Sequence, residues 1–458
     1  MHLLFRARYF SSTLENSKPE TYRRIYDTTS EVERGSTVKG HVSIESEDET
    51  TLLAARMRAD IPPIPSSQGY IFRVPERIRV AGEDTYDPRI ISIGPYHHRK
   101  ESLKAMEKYK QWYLDSFISR TKTSLADLVK TVKKLEKNAR ACYADPINFT
   151  SDEFVRMMIL DGCFILELFH KSSQGKDVQS KDVVFTTTWL VSSIRRDFLL
   201  LENQIPCIIL EGLVNLTYNP TGNNHSVCKL VTIFFNPILP RNLTFQSSSL
   251  KSNHLLDLLR NQLIPPRPTK YMEDSYWEYT HCATELCHAG VKFEKKDASR
   301  GLLDIRFTKD GVLEIPSFRF GVSWTILLPN LVALEQCRKD YDDRITSYVV
   351  LLDCLINSHS DVKLLRSAGI IDKLFKEDED VALKINSLNK RVVGYQFYYD
   401  QLCKDVNKYG AQTWPAFRAK MTSQYFDTPW SVAKLATATI LLILSILQTF
   451  PQLKGPFA

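Results

Sequence analysis

The sequence predicts a mainly α fold with a small antiparallel β hairpin or sheet, an α+β class, followed by a single C-terminal transmembrane helix. Most apolar residues recur at helical spacing, a stretch between residues 303 and 315 alternates with period two, and residues 430–450 form an almost uncharged apolar run. The 458 residues are 43% hydrophobic and 11% aromatic, which is enough for a sizeable core.

Residues 1–66 are predicted to form a disordered or weakly ordered N-terminal tail. They change composition repeatedly, and an acidic, Ser/Thr-rich patch at 43–51 precedes a short helical pattern at 52–58. The IPPIP stretch at 61–65 then favours an extended lead-in, because proline fixes its own φ and restricts the residue before it. A mostly helical domain is predicted over residues 67–428.

Periodic apolar residues predict the first helices of this domain, over 101–119 and 125–140. Thr150 and Glu153 form a capping-box pattern, so a third helix is expected to begin there and to continue to about residue 170. Because that helix is apolar on nearly all faces, it is expected in the middle of the core. The second helix has a basic face, which consists of Lys130, Lys133, Lys134, Lys137 and Arg140. We interpret this face as a solvated surface; the alternative is a patch that binds phosphate or lipid.

Two groups of polar residues form the candidate site. Glu202, Asn203 and Gln204 interrupt an apolar run, and buried polar groups must find hydrogen-bond partners. We interpret them either as a structural hydrogen-bond cluster or as a site that recognises a ligand or partner. The second group, in the string SIGPYHH, consists of Tyr96, His97 and His98.

The remainder of the domain is predicted to be a loop, a hairpin and further helices. Residues 215–253 are predicted as a loop and 254–260 as a short helix. Alternation on either side of Asp310 and Gly311 predicts the β hairpin. Pro329 and Asn330 are expected to begin a helix that continues through residue 338. Further helical patterns cover 341–357, 361–367, 379–388, 393–409 and 414–426.

The transmembrane helix is predicted over 430–450, with 451–458 as a short tail. As a helix the run spans roughly 31 Å, close to the thickness of the hydrocarbon core, and its one charged residue, Lys434, can snorkel to the headgroups near Trp430. The alternative is a soluble scaffold whose C-terminal helix packs in the core. Basic residues before the run favour a cytosolic body. Glycosylation sequons instead favour a luminal body; they begin at Asn148, Asn215, Asn224 and Asn242. The two observations disagree, so the side of the membrane that the domain faces stays open.

The motifs of known enzyme classes are absent from the sequence. It has no Gly-rich phosphate loop, no HExxH and no GxSxG motif, so we expect no catalysis and no cofactor. The basic residues behind the net charge of +7 are widely spread, which argues against nucleic-acid binding. The nine cysteines include no CxxC pair, and adjacent histidines at 97 and 98 diverge too far to share a metal. The HCATELCH stretch at 281–288 contains two histidines and two cysteines and remains an alternative reading as a zinc site, although the spacing of these residues suits zinc poorly.

From about residue 70 to residue 448 the chain resembles the plant family of domain of unknown function 247. The GPYHH and LLENQIP strings together are specific to it. Arg99 departs from the family pattern, where a glycine often follows the two histidines, and Lys434 departs at the start of the apolar run. The matching stretches are Ile71–Pro75, Tyr86–Pro88, Ser92–His98, Met106, Glu107, Lys110, Ala141–Ala144, Asp152–His170, Leu199–Leu210, Ala289–Phe293, Leu313–Pro316, Asn330–Cys337, Pro429 and Trp430.

The resemblance implies a protein without established enzymatic activity that usually ends in one membrane helix. Some grass members are associated with pollen–stigma self-incompatibility, which implies recognition. We therefore expect a non-catalytic interaction or recognition module at the plasma membrane or an endomembrane. Its partners would be the lipid bilayer, through the C-terminal helix, and another protein. The remaining alternative is an enzyme with an unrecognised site that includes His97, His98, Glu202 and Asn203.

Overall fold

The computed structural model describes two compact units, Met1–Pro62 and Pro63–Ala458. The described residues are 45–61, 69–79, 84–217, 227–239, 252–264, 277–372, 377–389, 392, 396–412, 437 and 439–445. In the first unit, helix α1 (Glu45–Ala59) contains the helical pattern predicted at 52–58 and begins earlier. The rest of the predicted tail, the helix predicted at 414–426 and the tail at 451–458 lie outside the described residues.

The second unit begins with helices arranged around one buried helix. A capping box opens that helix, α4 (Ser151–Ser173), as predicted: the Glu153 N–H donates to Thr150 Oγ1 at 3.3 Å, and the Thr150 N–H donates to Glu153 Oε2 at 2.8 Å. Between residues 154 and 169 every residue except Arg156 is buried, because nearly every face is apolar.

Four helices pack against α4, namely α2 (Glu107–Thr121), α3 (Leu125–Ala141), α8 (Cys207–Leu216) and α9 (Val227–Phe235). The predicted helix at 101–119 is a 3-10 turn (Glu101–Met106) that continues into α2. The helices of this half are α2 (Glu107–Thr121), α3 (Leu125–Ala141), α5 (Lys176–Gln179), α6 (Val183–Thr186), α7 (Leu190–Asp197), α8 (Cys207–Leu216), α9 (Val227–Phe235) and α10 (Leu255–Leu263).

Two small sheets and further helices lie in the described part of the second unit. The predicted hairpin is confirmed, since β2 (Arg306–Phe307) and β3 (Val312–Pro316) pair antiparallel with Phe307 opposite Leu313. The strands are not purely antiparallel, however: β1 (Lys292–Lys296) runs parallel to β3 in the same three-stranded sheet, and β4 (Phe318–Arg319) runs parallel to β5 (Ile371–Asp372) in a separate two-stranded sheet. The elements are α11 (Ala283–His288), β1 (Lys292–Lys296), β2 (Arg306–Phe307), β3 (Val312–Pro316), β4 (Phe318–Arg319), α12 (Val322–Cys337), α13 (Arg344–Leu355), α14 (His359–Ser367), β5 (Ile371–Asp372), α15 (Asp378–Asn389) and α16 (Asp400–Gly410).

Three local predictions are wrong. The helix predicted over 393–409 begins only at Asp400, and the described residues 396–399 before it are not helical. Helix α9 lies inside the predicted loop at 215–253, and its apolar residues, such as Phe234 and Phe235, are buried. Helix α12 begins well before Pro329, which lies in its interior. The Asn330 side chain donates to the Ile326 carbonyl at 2.8 Å and accepts from the Leu201 N–H at 2.9 Å, so the segment around the proline is held by contacts within α12 and to the rest of the fold.

The prediction of a transmembrane helix over 430–450 is corrected by the structure. Among the described residues, none of the helices combines the length and the apolar character needed to cross a membrane. In this stretch the described helical residues are 437 and 439–445. Trp430 and Lys434 lie outside the described residues.

The described part of this run is not packed in the core either. The side chains from Ile440 to Leu444 are exposed by 48% to 64%. For these residues the alternative of a buried C-terminal helix is therefore wrong. The predicted membrane location and bilayer partner followed from the predicted transmembrane helix, and both stay predictions.

Candidate functional site

Three of the residues predicted as a site, Tyr96–His98, belong to one irregular segment, residues 84–100, and the other three, at 202–204, lie against it. This segment contains no helix or strand, yet residues 91–97 are all buried. Backbone N–H and C=O groups in such a place need partners, because an unpaired buried group costs free energy. Side chains from α4, α12 and the turn at 197–204 supply them.

Asn203 and Gln204 use their amide groups on nearby backbone. Asn203 Oδ1 accepts from the Ile93 N–H at 2.7 Å, and its Nδ2 donates to the carbonyls of Ile91 at 3.1 Å and Asp197 at 2.9 Å. Gln204 Nε2 donates to the carbonyls of residues 198 and 200 at 2.9 and 2.8 Å, and its Oε1 accepts from the Leu256 N–H at 3.1 Å. Both side chains therefore tie separate segments of the core together.

Glu202 is buried and engages three groups. Its Oε1 accepts from the Val74 N–H at 2.7 Å and from Arg79 Nη2, and its Oε2 lies 3.1 Å from His97 Nε2. Burial by itself would raise the pKa of Glu202. The hydrogen bonds from His97 and Val74 and the charge of Arg79 outweigh this, so the pKa of the carboxyl lies below its ordinary value.

Tyr96 and His98 lie on either side of His97 but contact different groups. The Tyr96 hydroxyl donates to the Ile71 carbonyl at 3.1 Å, and the ring packs edge-on against Tyr143 with centroids 5.6 Å apart. The half-buried His98 ring packs edge-on against Phe149 at 5.7 Å. The structure therefore brings His97 and Glu202 together and directs His98 away from them, toward the segment before α4.

Sequence reasoning missed two carboxylates and a lysine that complete this network. Asp197 Oδ2 accepts from the N–H groups of three consecutive residues, 89, 90 and 91, at 2.8 to 3.1 Å. Asp161 Oδ2 accepts from the Gly94 N–H at 2.7 Å, and its Oδ1 lies 2.6 Å from Lys110 Nζ. A signal was available for Asp161, since it is an acid within the long apolar run of α4.

A second buried polar cluster lies beside a cleft of about 230 Å³. Arg260 donates through Nε and Nη2 to Glu335 Oε1 at 2.9 and 2.7 Å, and Glu335 Oε2 accepts from the Thr346 N–H and hydroxyl at 2.8 Å. Glu335 thereby caps the start of α13. Asp342, which lines the cleft, is ion-paired with both Arg260 and Arg344.

The histidines and cysteines of HCATELCH do not converge on one point. Cys282 is buried just before α11, Cys287 is exposed, and His281 Nδ1 lies 3.4 Å from Glu285 Oε2. Over the described ranges, no group of three or more His, Cys, Asp or Glu side chains is arranged to hold a metal ion.

Because the pKa of Glu202 is lowered in the folded protein, we expect its contribution to stability to depend on pH. An unfolded glutamate has a pKa of about 4.3, so a lower folded value contributes stability above that pH, and the contribution is lost as the pH falls through the folded pKa. We expect Glu202→Gln to lower the free energy of unfolding by about 1–3 kcal/mol at neutral pH, with the difference from the wild type shrinking on acidification.

Urea unfolding followed by circular dichroism over a pH series measures this difference. Glu101→Gln is the control, because the Glu101 side chain is 83% exposed and its removal should change stability by less than about 0.5 kcal/mol. A Glu202→Gln difference that stays constant down to the acid limit would contradict the assignment.

The fold and site define a class: a mainly helical domain whose buried polar side chains hold an irregular backbone segment. The particular family follows from comparison. The DUF247 family, described as a plant protein of unknown function, matches residues 71–444, and the chain belongs to it. A UPF0481 protein of Arabidopsis thaliana is 30% identical over 409 residues, covering 83% of this chain and 85% of that protein. A putative UPF0481 protein of the same plant is 22% identical over 488 residues, covering 84% and 90%. No solved structure is significantly similar.

Proposed function

We propose that this protein is a non-catalytic module that binds other proteins. The observation that carries the proposal is the exposure of large aromatic side chains on a folded body. Trp112, Trp189 and Trp277 expose 56%, 58% and 40% of their surface. Tryptophan is costly to leave in water and is strongly enriched at the energetic centres of protein interfaces.

The polar network supports the non-catalytic part of the proposal. A catalytic acid or base needs a free position within reach of a substrate. Both carboxylate oxygens of Glu202 are instead engaged by neighbouring groups of the fold, and the amides of Asn203 and Gln204 bond to backbone. Recognition between cells, with which some grass members of the family are associated through self-incompatibility, is one form of such binding.

The test leaves the polar network unaltered, because replacing His97, Glu202 and Asn203 would also remove contacts that hold the fold. The purified chain is incubated with a plant extract, and both co-eluting proteins and metabolite levels are measured by mass spectrometry. We expect a protein that co-elutes in a fixed ratio and is depleted when Trp112→Ala and Trp189→Ala are combined. Leu383→Ala, at a site 63% exposed, is the matched control.

Two results would contradict the proposal. A metabolite consumed at a rate proportional to the protein concentration would show catalysis. Equal retention of every co-eluting protein by the wild type, the tryptophan variant and the Leu383→Ala control would show that the exposed tryptophans bind no partner.

A further inference from the structure

One side of helix α3 carries an exposed row of lysines. Its opposite side is buried through Leu128, Val132 and Ala139. The exposed residues recur at i, i+3, i+4 and i+7, so they share one face about 10 Å long at 1.5 Å rise per residue. We define this lysine face as Lys130, Lys133, Lys134 and Lys137.

The acids of α3 are already engaged by the fold and do not neutralise this face. Asp127 accepts from the Ser124 hydroxyl at 2.6 Å at the start of the helix. Glu136 accepts from Arg140 Nε at 2.9 Å and from the Ser151 hydroxyl at 2.6 Å. Within the described part of the chain, Lys133 is paired with Asp152 at 3.1 Å. The other three lysines of the face have no ion pair with a described residue.

We propose that the lysine face binds an acidic segment of a partner protein. The inference rests on the proposed function and names the kind of partner. The three lysines of this face without an ion pair repel one another, and a segment with acids at matching spacing relieves that repulsion. Leu125 and Val129, 52% and 36% exposed, flank the face in its first turns and offer apolar contact beside the charges.

The same observations favour a protein over a membrane as the occupant. A helix that lies in a bilayer interface inserts an apolar face rich in Trp, Phe or Leu along its length. In α3 the apolar side faces the core, and the exposed aliphatic residues are confined to its N-terminal half. The exposed face carries charge at a fixed spacing and no aromatic residue.

The test measures binding of a fluorescein-labelled peptide of alternating Glu and Leu to the full chain by fluorescence anisotropy. The variant Lys130→Gln, Lys134→Gln, Lys137→Gln removes three charges from exposed positions, and glutamine keeps helix propensity. The charge-matched control is Lys292→Gln, Lys295→Gln, Lys309→Gln, three exposed lysines on and beside the small sheet. Vesicles of phosphatidylcholine and phosphatidylserine form a parallel assay.

We expect the α3 variant to bind the peptide about tenfold more weakly, since each exposed ion pair contributes roughly a factor of two to three. The control variant should bind like the wild type, and affinity should fall as salt is raised. Equal weakening in both variants would show attraction by net charge alone and overturn the proposal. Vesicle binding that depends on the α3 lysines, without peptide binding, would overturn it in favour of a membrane.

This outcome is separable from that of the proposed function. If the lysine face does not bind the peptide, co-elution that depends on the exposed tryptophans is unaffected, and the proposed function stands. Conversely, measured catalysis with intact peptide binding would overturn the proposed function and leave the lysine face as a docking surface.

Discussion

Replacing Lys110 with methionine is expected to lower the free energy of unfolding by about 3–5 kcal/mol. The Lys110 side chain is fully buried, and its Nζ lies 2.6 Å from Asp161 Oδ1, Glu107 Oε1 and the Ser92 carbonyl. Burial by itself would lower the pKa of Lys110, but the two carboxylates outweigh it and raise the pKa. Methionine fills a similar volume and leaves the Asp161 carboxylate buried without its cation.

The double variant Lys110→Met, Asp161→Asn is the control for this charge effect. Asparagine still accepts from the Gly94 N–H, which donates to Asp161 at 2.7 Å, and no unpaired charge remains in the core. Stability should therefore recover at least in part. Urea unfolding of both variants at neutral pH measures the difference. A double variant that is less stable than Lys110→Met would contradict the assignment of the loss to the buried carboxylate.

Gly94→Ala is expected to lower the free energy of unfolding by about 2–5 kcal/mol. Gly94 has φ of +76°, a region in which L residues other than glycine are disfavoured by about 1–2 kcal/mol. An added Cβ would lie 2.4 Å from the Gln204 carbonyl oxygen, and relieving such a contact costs roughly a further 1–3 kcal/mol. The contact atom belongs to backbone, so no side-chain rotation removes the clash.

Gly175→Ala is the matched control. Gly175 precedes α5 with φ of −65°, and nothing lies within 4 Å of an added Cβ. Its stability should be unchanged or slightly higher, because alanine has less conformational freedom in the unfolded chain. The melting temperature of each variant checks both expectations. A Gly94→Ala protein as stable as the Gly175→Ala protein would show that the turn at residue 94 can move away from Gln204.

Elements with a strong local signal were predictable. Thr150 and Glu153 cap a helix through contacts three residues apart, and the apolar faces of α3 and α4 repeat at helical spacing. The hairpin around Gly311 was also recognisable, since a glycine at φ of +79° is what such a turn needs. In each case the deciding interactions lie within a few residues of one another.

Elements that depend on distant partners were missed. Helix α9 lies among Asn- and Ser-rich residues that resemble a loop, and its burial against α4 outweighs this composition. Strand β1 carries Lys292, Lys295 and Lys296, and its parallel pairing with β3 joins residues 20 positions apart (Lys292↔Val312). The prediction of a transmembrane helix at 430–450 rested on the hydropathy of the sequence alone, and none of the described helices is long and apolar enough to cross a membrane.

The sequence by itself determined the family, the buried central helix and the need of Glu202, Asn203 and Gln204 for partners, because motifs, periodicity and polarity are local properties. Only the tertiary structure decided what those partners are. The segment around Ile93 and Gly94 has no ladder of its own, so its N–H groups are paired by side chains from far along the chain. Contacts of this kind depend on how the helices pack, which no spacing in the sequence encodes.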